Sequence, residues 1–209
     1  MTRRVVVTGI GGVTALGDDW PAIQENMASG NTAIRRMEDW ERFDGINTRL
    51  AAPITNFSVE GRYPRKKLRT MGPVSLMAVY ATECALEQAG LSDDSVLKEG
   101  RTGISYGSSF GSPKPMMAFA ELMEQGNSRT LSATSYIQMM SHTAAVNIGL
   151  FFGITGRLIP TSSACTAGSQ GIGYAAEAIR WNKADVMIAG GADELDVTET
   201  AVFDTLYAT

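Results

Sequence analysis

Between Leu158 and Gly191 the sequence reads as strand, small-residue helix, strand, and this unit constrains the fold more than any other feature. Leu158–Thr161 is a short apolar strand, residues 167–181 read as a helix, and residues 184–189 as a buried strand closed by Gly190 and Gly191. Upstream, residues 3–8 are a β-branched run followed by Gly9, Gly11 and Gly12, which predicts a strand entering a tight turn. Residues 101–106 predict another strand, closed by Gly107. Leu76, Val79, Tyr80, Cys84 and Leu86 fall at helical spacing within residues 67–90, with Gly90 as the C-cap. Asp18 or Asp19 is placed to cap a helix running to about Ala28, with Pro21 in its first turn. Residues 30–63 show no period and read mostly as loop, and the chain's last residues read the same way. A helical insert at about 108–152 separates two strands, with a Met-rich helix in 108–130 and a second over 136–152. Alternating strands and helices predict an α/β domain with a mainly parallel sheet.

Several classes of function are excluded by composition. Apolar residues make up 44% of the 209 residues and charged residues 19%, a globular balance. Apolar runs such as residues 186–189 are far too short to span a bilayer, and the N-terminus does not read as a signal peptide. A net charge of −4 argues against a general nucleic-acid binder. Cys84, Cys165 and His142 offer no zinc spacing, so no metal is expected. The separated cysteines suit a reducing compartment, and a cytoplasmic location is expected. Gly9-Ile10-Gly11-Gly12 does not complete a dinucleotide-binding pattern, because Thr14 stands where the last glycine belongs; no nucleotide cofactor is expected.

The chemistry concentrates in TSSACTAGSQGIGYA, residues 161–175. A strand ends, Cys165 follows, and a helix of small residues begins. The partial positive charge of a helix N-terminus favours a thiolate, the species that attacks a thioester carbonyl. A buried structural cysteine is the alternative that the residues alone leave open. Arg62, Arg65, Lys66, Lys67 and Arg69 form a basic cluster, read either as a solvated face or as a docking patch. His142 reads as a hydrogen-bonded packing residue, Cys84 as core beside Tyr80, and the methionines of the insert as adaptable packing.

The run around Cys165, "ADVMIAGGADE" (residues 184–194) and "RRVVVTGIGGVTALG" (residues 3–17) together resemble the β-ketoacyl-acyl-carrier-protein synthases of types I and II. "ELDVTETAVFD" (residues 194–204) is more similar to type I. The resemblance covers essentially the whole chain and implies the N-terminal half of a thiolase-like layered fold, with a mainly parallel mixed sheet and a helical insert. It implies that Cys165 takes an acyl group from an acyl carrier protein and that malonyl-ACP extends it by decarboxylative condensation. The family's two histidines lie in its C-terminal half, which is absent here, and His142 matches neither, so residues 1–209 alone are expected to be inactive. The resemblance places Phe110, Ala164 and Phe203 at the acyl pocket, with Tyr136 and Met139 where a dimer partner closes it. It assigns Arg65, Lys66 and Arg69 to the carrier protein. No cofactor is implied beyond the carrier's own phosphopantetheine.

Four functions compete at this point. The first is an elongating condensing enzyme of the discrete type, in fatty-acid or polyketide and polyene synthesis. The second is one subunit of a synthase and chain-length-factor heterodimer, where Cys165 would make this chain the active member. A thiolase is the third, disfavoured by the "GGADE" context. The fourth is a non-catalytic half-synthase fragment.

Overall fold

The computed structural model describes residues 3–209. In chain order the elements are α1 (Trp20–Ala28), β1 (Arg35–Arg36), β2 (Leu50–Ala51), α2 (Arg65–Leu68), α3 (Pro73–Gln88), β3 (Thr102–Gly107), α4 (Met116–Gln125), α5 (Ala133–Met139), α6 (Thr143–Phe152), β4 (Leu158–Thr161), α7 (Ala167–Arg180), β5 (Val186–Gly191) and α8 (Val197–Thr205). The chain divides into two compact units. One holds the residues up to Gly11 together with Val59–Glu194, and the other holds Gly12–Ser58 with Leu195–Thr209.

The larger unit is built on a three-stranded sheet of order β4-β3-β5, parallel throughout. Its central strand is wholly buried, as expected for a parallel sheet covered on both faces. α7 packs on β3 and β5, while α6 packs on β3, β4 and α3. Small residues set the α7 contact. A Cβ at Gly171 would sit 2.7 Å from the Ser105 carbonyl oxygen and 3.1 Å from that of Gly190. One at Gly107 would sit 2.7 Å from the Ala167 Cβ. On the other side, buried Asn147 pins α6 to α3: its Oδ1 accepts from Thr70 Oγ1 at 2.8 Å and its Nδ2 donates to Ser75 Oγ at 3.0 Å. A buried amide with its partners supplied fixes register as well as adding stability.

Several expected elements differ. Residues 3–8 form no strand. Instead the segment runs along α3, where Cβ atoms at Gly9 and Gly11 would sit 2.9 Å from the carbonyl carbons of Ala85 and Ala81, and Ile10 N–H donates to Gln88 Oε1 at 2.6 Å. The glycines therefore serve close approach to a helix. A cavity of about 470 Å³ is lined by this segment and β5, and among the described residues the β-branched run pairs with no strand. Arg3 and Arg101 both hold Asp185 beside the start of β5, and the Arg101 and Arg3 hydrogen bonds, in that order, keep the Asp185 carboxyl far below the usual range.

The helix expected over 67–90 is interrupted between Leu68 and Pro73, since a residue before proline is disfavoured in the helical region and Pro73 starts α3. The helix expected over 136–152 breaks at Met140, which is extended (φ −81°, ψ 128°), giving α5 and α6. His142 lies exposed at the N-terminus of α6, not packed in an apolar face.

In the smaller unit, Asp19 caps α1 by accepting from Ala22 N–H at 2.7 Å. The expected loop over 30–63 contains the antiparallel β1–β2 ribbon. The expected terminal loop contains α8, capped by Asp196. Asp204 on α8 accepts from Asn47 N–H at 2.9 Å and from Thr48 N–H at 3.1 Å, closing the unit.

Candidate active site

Because β3, β4 and β5 are parallel and in register at Gly107, Thr161 and Gly191, their carboxyl ends form one row. Ligands of open α/β sheets bind at that end. Three turns leave it: Ser108–Gly111, Ser162–Thr166 and Ala192–Glu194.

The middle turn carries the cysteine. Thr161 Oγ1 donates to the Ala167 carbonyl at 2.8 Å, and Thr166 N–H and Oγ1 both donate to the Ser163 carbonyl, at 3.2 and 2.8 Å. This tightens the chain into a single 3₁₀ turn, Ala164–Thr166, directly before α7. Ala164 has φ +52°, a left-handed conformation that an alanine adopts only under constraint. The strained residue therefore stands immediately before Cys165. Cys165 is exposed, which removes the buried structural reading; Cys84 is half-buried, and burial pushes its thiol up. The helix that follows Cys165 is 14 residues long, enough for a developed dipole at its N-terminus.

The Ser108–Gly111 turn holds Phe110, 37% exposed. Gly111 has φ +95°, and a Cβ there would lie 2.8 Å from the Met139 carbonyl carbon, so the turn is pressed onto the end of α5. Ser112 N–H donates to the Gln138 carbonyl at 3.0 Å. The turn that carries Phe110 therefore lies against the end of α5, where Met139 stands. Tyr136, three residues earlier on α5, is exposed. Phe203 is 43% exposed on α8 in the smaller unit.

Sequence reasoning assigned no role to a serine and aspartate network that joins the turns. Ser162 Oγ donates to the Ser108 carbonyl at 3.3 Å and lies 3.1 Å from Ser141 Oγ. Asp193 accepts from Ser109 N–H at 2.7 Å. Its only sequence signal was membership of the "GGADE" run.

The basic cluster divides cleanly. Arg62 pairs with Glu83 at 2.7 Å, and Lys67 donates to the Phe151 carbonyl at 3.1 Å with its Nζ 4.5 Å from that ring's centre. Arg65, Lys66 and Arg69 are exposed and form no ion pair among the described residues. Those three cations are the ones left available to a partner. Among the described residues no cluster of His, Cys, Asp and Glu could hold a metal ion.

Comparison with known proteins gives a consistent result. The sequence profile of the "Beta-ketoacyl synthase, N-terminal domain" matches residues 2–208. A crystal structure of a β-ketoacyl synthase from Burkholderia phymatum STM815 superposes with a TM-score of 0.95 at 52% identity, covering 100% of this chain and 51% of that one. Nodulation protein E of Rhizobium meliloti (strain 1021) is 33% identical over 196 residues, 92% of this chain and 47% of that protein. The 3-oxoacyl-[acyl-carrier-protein] synthase 1 of Buchnera aphidicola subsp. Baizongia pistaciae is 27% identical over 208 residues, 99% of this chain and 51% of that protein. The chain spans about half the length of the curated relatives it matches.

Proposed function

Because this chain belongs to the β-ketoacyl synthase family and carries its N-terminal domain, we propose that it forms the nucleophilic half of a condensing enzyme that elongates acyl groups held on an acyl carrier protein. The observation that carries this reading is an exposed cysteine opening α7 behind a strained alanine, at the carboxyl end of a parallel sheet. In the first step Cys165 Sγ attacks the acyl thioester carbonyl. The acyl–sulfur bond to phosphopantetheine breaks, and the released thiol carries away the cysteine proton. In the second, malonyl-ACP loses carbon dioxide, and the resulting carbanion attacks the Cys165 thioester. The new carbon–carbon bond gives β-ketoacyl-ACP, and the Cys165 thiolate leaves. Decarboxylation needs groups to stabilise the developing enolate. In this reading the C-terminal half supplies them, and the reaction needs no cofactor beyond the carrier's phosphopantetheine. The test is to incubate the full-length protein with acyl-ACP and locate the acyl group by mass spectrometry. Acylation at Cys165 supports the reading, and absence of acylation with every chain length tried overturns it.

Arg65, Lys66 and Arg69 are proposed to meet the acidic carrier, because complementary charge steers encounter. Reversing all three charges is expected to raise the apparent KM for acyl-ACP about tenfold at low ionic strength, the lower end of electrostatic steering. The effect should shrink with added salt, since exposed charges are screened beyond about 8 Å at physiological ionic strength. Unchanged low-salt kinetics would remove the docking role.

β4 is an edge strand among the described residues, and Leu158 on it and Leu150 on α6 are exposed at 38% and 73%. Such an edge favours pairing with another strand, and a second copy aligned across a two-fold axis is the proposed occupant. Sedimentation of the full-length protein at micromolar concentration should show a dimer; a monomer would contradict this.

A further inference from the structure

Resting on the readings of Cys165 as the acyl acceptor and of Phe110 as a residue lining the acyl pocket, we propose that Asp193 is a positioning residue for acyl-chain length, acting through Phe110. Its carboxylate, following β5, reaches across the row of strand ends to the turn that follows β3. Asp193 Oδ1 accepts from Ser109 N–H at 2.7 Å and from Ser108 Oγ at 3.1 Å, and Oδ2 accepts from Ser109 Oγ at 3.2 Å. Ser108 Oγ in turn accepts from Gly111 N–H at 3.0 Å. Both residues flanking Phe110 are therefore held, Ser109 directly by the aspartate and Gly111 through Ser108. The Ser108 carbonyl receives Ser162 Oγ, three residues before Cys165, so the clamp is continuous with the turn that presents the nucleophile.

The clamp is not needed to join the two strands. β3 and β5 are already paired over their whole length, and Ala192 N–H donates to the Gly107 carbonyl at 3.0 Å just before the aspartate. Ser108 is fully buried, whereas Asp193 is exposed and Phe110 is 37% exposed. The carboxylate therefore fastens the boundary between a rigid strand end and a partly free aromatic ring. A ring held in one place sets a fixed limit on the volume beside the acyl carbons, and a released turn lets the ring move aside for longer chains. Charge-assisted hydrogen bonds to backbone N–H groups are suited to this, being short and directional.

The experiment uses the full-length protein with Asp193→Ala, Asp193→Asn, Phe110→Ala and the double variant Asp193→Ala/Phe110→Ala. Asparagine keeps a carbonyl oxygen for Ser109 N–H but lacks the charge and the second acceptor, and is expected to fall between wild type and Asp193→Ala. Asp193→Ala should raise hydrogen exchange at the Ser109 and Gly111 amides about tenfold. It should also shift the ratio of kcat/KM for long over short acyl-ACP about threefold toward long chains. Phe110→Ala should shift that ratio about tenfold, and adding Asp193→Ala to it should change nothing further, because residues acting through one another are non-additive. Additive shifts in the double variant, an unaltered chain-length ratio, or unaltered exchange at Ser109 would each overturn the proposal. A wild-type protein that takes no acyl group would overturn the proposed function instead, and the exchange measurement would still decide whether the clamp exists.

Discussion

Cys165→Ala is expected to abolish acyl transfer while leaving the protein folded. The sulfur lies on an exposed turn, so its removal opens no cavity, and surface truncations of this kind typically change stability by under about 0.5 kcal/mol. Loss of the nucleophile removes the covalent intermediate altogether, and condensation should fall by roughly 10³-fold or more, equivalent to about 4 kcal/mol of transition-state stabilisation. The same logic predicts selective labelling. Iodoacetamide at neutral pH should modify Cys165 well before Cys84, whose thiol is half-buried and pushed up by burial, so that less of it is thiolate. Intact-mass analysis of the wild type and Cys165→Ala, with and without acyl-ACP, checks both statements. Acylation that survives the substitution, or faster labelling of Cys84, would move the nucleophile elsewhere.

The sequence made some of this legible and hid the rest for identifiable reasons. α7, β3, β4 and β5 could be read because each is a run whose own composition matches its surroundings: apolar strands bounded by glycine, and a helix of small residues facing them. The Cys165 position followed from that reading, since a cysteine between such a strand and such a helix has nowhere else to lie. The strand expected at residues 3–8 failed because β-branched composition needs a partner strand. In this structure the neighbouring surface is α3, and Gly9 and Gly11 are used to approach it. The left-handed Ala164 carries no sequence signal, since alanine does not advertise a positive φ as glycine or asparagine would. Asp193 was invisible for a different reason: its partners Ser108 and Ser109 are 85 and 84 residues away in sequence, and only the register of β3 with β5 brings them together. The basic cluster was legible as a cluster, but which three of its members form no ion pair among the described residues depended on Glu83 and Phe151, supplied by α3 and α6.

Two glycines of α7 should respond in opposite directions to the same substitution. Gly173 has nothing within 4 Å of where a Cβ would stand, so Gly173→Ala gains helix propensity without cost and is expected to stabilise the protein by up to about 1 kcal/mol. Gly171, two residues earlier, faces backbone. Its Cβ would stand 2.7 Å from the Ser105 carbonyl oxygen and 3.1 Å from that of Gly190, atoms of β3 and β5 that are fixed by their own ladder. A flexible side chain could yield, but a paired strand cannot move without its neighbours. Gly171→Ala must therefore lift α7 off the sheet, and overpacking of this kind typically costs about 1–3 kcal/mol. At about 2–4 °C per kcal/mol for a chain of this size, the melting temperature should fall by roughly 2–12 °C. The lift also displaces the first turn of the same helix, directly after the 3₁₀ turn that carries Cys165, where a Cβ added at Gly168 would stand 3.4 Å from the Gly191 amide nitrogen. Acylation of the Gly171→Ala protein should accordingly slow at temperatures where it is still folded, while Gly173→Ala acylates at the wild-type rate. Thermal unfolding of the two variants beside single-turnover acylation decides the matter: equal melting temperatures would mean that α7 is not held at the distance its glycines indicate.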